Sequence, residues 1–377
     1  MSPRLGDTSQ TRPMMAKSVI HQDPFVLSPR VQLAHKLEPR DYSDLVGFYR
    51  AYITPWVFVV GLLGNISVLV TFGLESPGTR FSVYAMALAT AHLVALIFNS
   101  LLDDFLGRGL LYLTHQRVAV KLDSFSDVGC KLMEYIPKVA YFAAAYILVV
   151  FSLDRLVTVH RPFQFYSIYH RRLAWLACLA IGLTSLVVNL PSLFVQRLVV
   201  DPISRTNFTC RMEEAHRLTN AVIGFHVFAI FTLPVGLVLL ANLAIWRRLY
   251  QLRRRRRALM PAEPVHSRLE MARVSGHLAL STCFLLLYIP LVCLVLLRLY
   301  LTLSRVDRHD ATALRIIDLS RLFSSLKDVT YAVNFFLYFA FLANFRKRFL
   351  RVFCLWPRQP KHETKQTVVQ TLTSETR

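Results

Sequence analysis

The chain has 377 residues, 54% of them hydrophobic, with 13 glycines and a formal net charge of +21. Its mean hydropathy of +0.41 is well above that of an ordinary soluble domain. Its apolar runs reach the ~18 residues that read as bilayer spans. A soluble helical bundle is excluded, because its helices would carry a polar stripe and these runs do not.

Residues 1–50 are polar, mildly basic and rich in turn formers. We expect a disordered outer tail there and no cleavable signal peptide, with the first span acting as its own insertion signal. Seven spans follow, at 53–72, 83–102, 132–153, 173–195, 221–246, 278–297 and 316–343. The first, fourth and sixth lack charge, and the second and fifth contain only His92 and His226. The third carries Glu134 and Lys138, and the seventh carries Asp318, Arg321, Lys327 and Asp328. Each central charge costs about 2.5–3.5 kcal/mol on insertion, so these groups need partners or a wet cavity. The expected fold is an all-α membrane protein, a seven-helix bundle over 51–343. Residues 344–377 would be a cytoplasmic amphipathic helix and tail.

Charge near span ends sets orientation. The stretch RRLYQLRRRRR (247–257) follows span five, and Arg346, Lys347, Arg348 and Arg351 follow span seven. Both clusters lie on one side, which is therefore the cytoplasm. The arginine run suits anionic lipid or a protein partner rather than nucleic acid. With the N-terminus outside, Cys130 and Cys210 fall where disulfides persist, and a bridge would tie the loop between spans four and five over the bundle. Asn207 heads a glycosylation sequon in the same loop. The basic stretch ANFRKRFLRVF suits the membrane surface, and Cys354 after it is a palmitoylation candidate.

Asp154-Arg155 at the inner end of span three and Cys130 twenty-five residues before Arg155 form a specific set. So do Gly64-Asn65, Trp175, Pro234, Phe284 six residues before Pro290, and Asn334-Phe335-Phe336-Leu337-Tyr338. The chain resembles the rhodopsin-like G-protein-coupled receptors over residues 50–355, with a flavour of the FMRFamide-type and thyrotropin-releasing-hormone-like branches. The resemblance implies a plasma-membrane receptor that binds a ligand outside and engages a heterotrimeric G protein inside. It assigns the coupling switch to Asp154, Arg155, Glu270, Asn334 and Tyr338, with an Arg155–Glu270 bridge at rest.

Several positions depart from the family pattern. His92 stands where span two usually has Asp, and Ala144 where span three offers a hydroxyl, so no sodium site is expected. Asn65, His92 and Asn334 are expected to hydrogen-bond together, since intramembrane polar groups need partners. Tyr288 replaces the span-six tryptophan, Asn242 a span-five tyrosine, and Leu156 a tyrosine after the motif arginine. Pro137 occupies the aminergic Asp position, which disfavours a monoamine. Lys327 is one residue, about 100° of helix, away from an opsin lysine. Glu134, Lys138, His226, Tyr288, Lys327 and Asp328 are candidates for the ligand pocket, with Lys138 and Asp328 as a possible internal pair. A peptide or amidated ligand fits such a pocket. A small-molecule or chemosensory receptor is the alternative, and a transporter or channel a remote one, since no internal repeat is visible. No metal-ligand spacing, phosphate-cradling glycine loop or nucleophile elbow appears, so neither enzyme chemistry nor a cofactor is expected.

Overall fold

A computed structural model describes residues 41–75, 78–115, 117–118, 120–160, 169–200, 208–213, 218–259, 265–304 and 311–353. Asn207 and Cys354 lie outside these residues. Glu270 lies on a described helix, but its side chain is outside the described set. Among the described residues, six helices are long and apolar enough to cross a membrane.

Helix α1 runs over 41–73, α2 over 80–113 and α3 over Asp127–His160. Helix α4 runs from Tyr169–Asn189 into Pro191–Val195, α5 covers 219–259 and α6 is Val265–Leu303. A broken helix α7 follows as Ala311–Leu326, Val329–Ala332 and Asn334–Phe341, and then α8, Ala343–Phe353. A two-stranded antiparallel hairpin, β1 (Gln196–Val200) and β2 (Phe208–Met212), joins α4 to α5, with Leu198 opposite Cys210.

Local sequence explains where helices start and loosen. Thr79 and Ser82 form a reciprocal capping box that starts α2, satisfying donors that a helix start leaves open. Pro137 in α3 and Pro290 in α6 each remove one intrahelical bond, as proline must. Wider π turns, with i→i+5 bonds, occupy Tyr49–Ile53 in α1, Leu96–Gly109 in α2 and His226–Thr232 in α5. Such turns commonly mark functional regions.

The innermost helices are α2 and α3, whose most apolar windows are 61% and 67% buried, against 28% in α1 and 22% in α4. On α4, Leu173, Leu176, Leu179, Leu183 and Val187 all face outward, the pattern expected where lipid is the solvent. The main core joins Phe81, Leu88, Ile147, Phe151, Leu280, Phe284 and Tyr338 from α2, α3, α6 and α7.

Helix α1 begins at Asp41, ten residues before the boundary expected from the sequence. The reason lies in Arg50, which is buried rather than hydrated because Asp104 on α2 pairs with it at 3.0 Å. Gly109 permits that meeting. A Cβ there would lie 2.5 Å from the Arg50 carbonyl oxygen and 2.8 Å from its carbonyl carbon, so only glycine lets the two backbones approach.

Candidate functional site

At the inner end of α3, Arg155 is only 2% exposed. Its Nη2 lies 2.5 Å from Asp154 Oδ2, and Asp154 Oδ1 accepts a second hydrogen bond from Arg80 Nη1 at 2.7 Å. The Arg155 guanidinium also lies over the rings of Phe81 and Phe151, 5.6 and 5.7 Å from their centroids. A cation placed over aromatic faces is held electrostatically even without water. The arginine is thus stored dry beside its acid, and not hydrated at a helix end. One turn further in, Ser152 donates to the Leu148 carbonyl at 2.8 Å, and its oxygen lies 3.0 Å from His277 Nε2 on α6. Whichever of the two groups donates, the contact ties α3 to α6. Tyr338 is fully buried, packed edge-on against Phe72, Phe81 and Phe345. Its hydroxyl has no hydrogen-bond partner among the described residues.

In the middle of the bundle, Asn334 Nδ2 lies 2.6 Å from His92 Nδ1. Asn65 does not join them directly. It donates instead to the carbonyls of Gly61 and Tyr331, both at 2.7 Å. The break in α7 around 327–333 frees backbone acceptors at this depth, and Asn65 takes one. Above this layer, the Tyr288 and Tyr331 hydroxyls lie 2.5 Å apart, and Phe284 stacks on Tyr288 with centroids 4.2 Å apart. A cavity of about 10 Å³, lined in part by His92, Ala144, Phe284, Tyr288 and Tyr331, lies between them. Asn242 accepts from Ser281 at 3.0 Å, joining α5 to α6 where the family pattern would have a tyrosine.

Toward the outer end, the charges find partners other than those expected. Lys138 does not meet Asp328. It lies 3.0 Å from Glu134, one turn away on α3. Lys327 pairs with its neighbour Asp328 at 2.9 Å, and both are 1% exposed. Lys327 also reaches the Ser324 carbonyl at 3.0 Å and lies over the Tyr141 ring, 4.3 Å from its centroid. The second Asp328 oxygen accepts from Asn99 at 2.7 Å and Ser100 at 2.6 Å on α2. Lys327 and Asp328 therefore knit α2, α3 and α7 together, and do not line open space. The irregular turn at 327–328 accounts for this, since it lets two adjacent side chains meet that a regular helix would splay. His226 lies on the π turn of α5 near the aromatic ring of Phe225.

Cys130 and Cys210 form a disulfide with Cα atoms 5.3 Å apart, fastening β2 to the start of α3. Sequence reasoning missed Arg50, Arg80, Asp103, Asp104, Arg108 and His277. A depth count could have found the outer set. At about 1.5 Å per residue, Arg50 before one apolar run and Asp104 after the next reach the same level.

A multi-pass helical bundle with a buried arginine at one end, a polar middle layer and a disulfide-fastened hairpin at the other defines a membrane receptor architecture. A family model described as 7 transmembrane receptor (rhodopsin family) matches residues 64–338. The chain belongs to that family, and is a signalling receptor and not an enzyme. Among similar proteins, C5a anaphylatoxin chemotactic receptor 1 of Rattus norvegicus is 25% identical over 45% of this chain and 43% of its own length. Nematocin receptor 2 of Caenorhabditis elegans is 31% identical over 37% of this chain and 34% of its own. Somatostatin receptor type 1 of Rattus norvegicus is 24% identical over 81% and 71%. The matches thus span less than half the length of the first two relatives.

Proposed function

We propose that this chain is a plasma-membrane receptor for an extracellular peptide, and that it activates a heterotrimeric G protein when α6 moves away from Arg155. The observation that carries the reading is Arg155 itself, desolvated, paired with Asp154 and backed by two aromatic rings at the inner end of α3. A guanidinium held dry beside an acid is an arrangement that rearrangement of a neighbouring helix can release. The His277–Ser152 bond between α3 and α6 must break in that movement. Glu270, on the inner part of α6, is proposed as a second acid for Arg155. Asn334 and Tyr338 would relay the change from the middle layer.

In this reading α1 to α7, from Asp41 to Phe341, form the receptor domain, with the segment before α1 outside and the segment after α7 on the cytoplasmic side. Helix α7 is the seventh span, broken where its charges are satisfied. Helix α8, with Arg346, Lys347 and Arg351 exposed and Phe345 buried, lies on the inner membrane surface, and Cys354 beyond it takes a lipid. Asn207 carries a glycan. A peptide ligand is supported by relatives named for somatostatin, nematocin and the C5a anaphylatoxin, and by charge concentrated at the outer end of the bundle. The test is a peptide screen on cells displaying the chain, read through several G-protein classes. A peptide that activates wild type and loses its effect in Arg155→Ala supports the reading. Activation only by non-peptide metabolites would replace it with a small-molecule receptor.

A further inference from the structure

The outer ends of α1, α2 and α7 meet in a charged cluster that the proposed switch does not use. At its centre, Arg50 Nε lies 3.0 Å from Asp104 Oδ1 and donates to Ser325 Oγ at 3.0 Å. On one side, Arg108 Nη1 reaches Asp103 Oδ2 at 2.8 Å and Asp104 Oδ1 at 3.5 Å. On the other, Ser325 donates to the Arg321 carbonyl at 3.4 Å, and Arg321 Nη1 lies 3.2 Å from Asp318 Oδ1. One path of polar contacts therefore runs from Arg108 through Asp104, Arg50 and Ser325 to Arg321.

Three guanidiniums and three carboxylates cancel in formal charge, but not in exposure. The Arg108 and Arg321 side chains are 45% and 40% exposed, whereas Asp104 and Asp318 are 3% exposed and Asp103 is 29%. Asp104 and Asp318 neutralise the cluster from beneath, Asp103 shares its edge with Arg108, and the two guanidiniums are the most exposed of these charges. Both exposed guanidiniums meet their acids through Nη1, which leaves Nη2 and Nε as a planar donor fork matched to a carboxylate. A carboxylate seated across the two guanidiniums would give each a further charge-assisted partner. Glu134 on α3 and the partly exposed Asp123 also act on Arg108, and Glu134 already engages Lys138 at 3.0 Å.

We infer that Arg108 and Arg321 form a carboxylate-binding site at the mouth of the bundle, and that the receptor's ligand is a peptide offering a free carboxylate there. This deepens the peptide reading above and rests on it. It also opposes the amidated ligand that the sequence alone admits. The carboxylate can come from an unamidated C-terminus or from an Asp or Glu side chain.

The experiment uses the full-length receptor on cells, with display measured separately. Peptide pools of matched sequence end in either a carboxylate or an amide, and each is made with and without internal acidic residues. Activation is expected from carboxylate-bearing pools. In Arg108→Gln and Arg321→Gln the half-maximal concentration should rise at least tenfold at unchanged display. Amidating the active peptide, or converting its Asp or Glu to the amide, should cause a comparable loss in wild type and little further loss in the variants. Which of the two modifications matters identifies the source. If a glutamine variant is not displayed, Arg108→Lys and Arg321→Lys carry the test, since they keep the charge and lose the fork. An active peptide without any carboxylate, or variants as sensitive as wild type, overturns the inference and leaves the peptide reading intact. Silence from every pool at verified display overturns both.

Discussion

Replacing Lys327 by methionine removes the ammonium from a carboxylate that is 1% exposed. Breaking a buried ion pair from one side costs about 3–5 kcal/mol, because the remaining charge is left without its counter-charge. Asp328 keeps its hydrogen bonds from Asn99 at 2.7 Å and Ser100 at 2.6 Å, so the lower end of that range, about 3 kcal/mol, is expected. Asp328→Asn should cost a similar amount, since Lys327 keeps the Ser324 carbonyl at 3.0 Å and the Tyr141 ring at 4.3 Å. The double variant Lys327→Met/Asp328→Asn removes both charges together. Its cost should fall below the sum of the singles by about 2–3 kcal/mol, a coupling of the size seen between groups in direct contact. The assay is unfolding of purified receptor in lipid nanodiscs, run alongside surface display. Singles whose losses add to the double's within about 0.5 kcal/mol would refute the claim that this pair holds α2, α3 and α7 together.

Three further outcomes are expected. Cys130→Ala should lower display and stability by up to about 4–5 kcal/mol, the loop-closure value for a sequence separation of 80 residues. Cys130→Ala/Cys210→Ala should be no worse than either single, and an additive loss would deny that the two act as one bridge. Gly109→Val should abolish folded receptor, because its Cβ meets the Arg50 carbonyl oxygen at 2.5 Å, whereas Gly73→Ala, with nothing within 4 Å, should be silent. Equal display of the two would dissolve the argument that α1 and α2 touch through backbone. Asn207→Gln should increase gel mobility to match enzymatic deglycosylation of wild type, and no glycan on wild type would remove one support for placing that loop outside.

Much of the bundle was legible because lipid imposes a simple rule. A run such as 53–72 has no reason to be apolar throughout unless lipid surrounds it, and six of the expected runs lie on long apolar helices, while the seventh falls on the broken α7. Cys130 and Cys210 were legible for a similar reason, since orientation alone put both thiols in one compartment. The pairing of charges was legible only in part. Glu134 and Lys138, four residues apart on α3, satisfy each other locally, and that needs no tertiary knowledge. Lys327 and Asp328 could be read only once the helix was known to break between them. Arg50 was assigned to a tail because one charged residue before a span looks like an exit into water. Its burial depends on Asp104 and Gly109 of another helix, and no local pattern reports that. His277 was silent in the sequence because it stands just before the 278–297 run, where nothing local reports Ser152 beside it.

The central claim is that Asp154 restrains Arg155 until a ligand loosens the inner end of the bundle. Asp154→Asn removes the charge that both Arg155 and Arg80 use, at 2.5 and 2.7 Å. A hydrogen bond to a charged group contributes about 1.5–3 kcal/mol, so the resting state should lose roughly a tenfold preference or more. The direct measurement is agonist-free nucleotide exchange on a purified G protein, with receptor in nanodiscs and its inserted amount fixed by quantitation. The account predicts a several-fold rise in basal exchange for Asp154→Asn, abolished when Arg155→Ala is added. Correctly inserted Asp154→Asn receptor with wild-type basal exchange would contradict it.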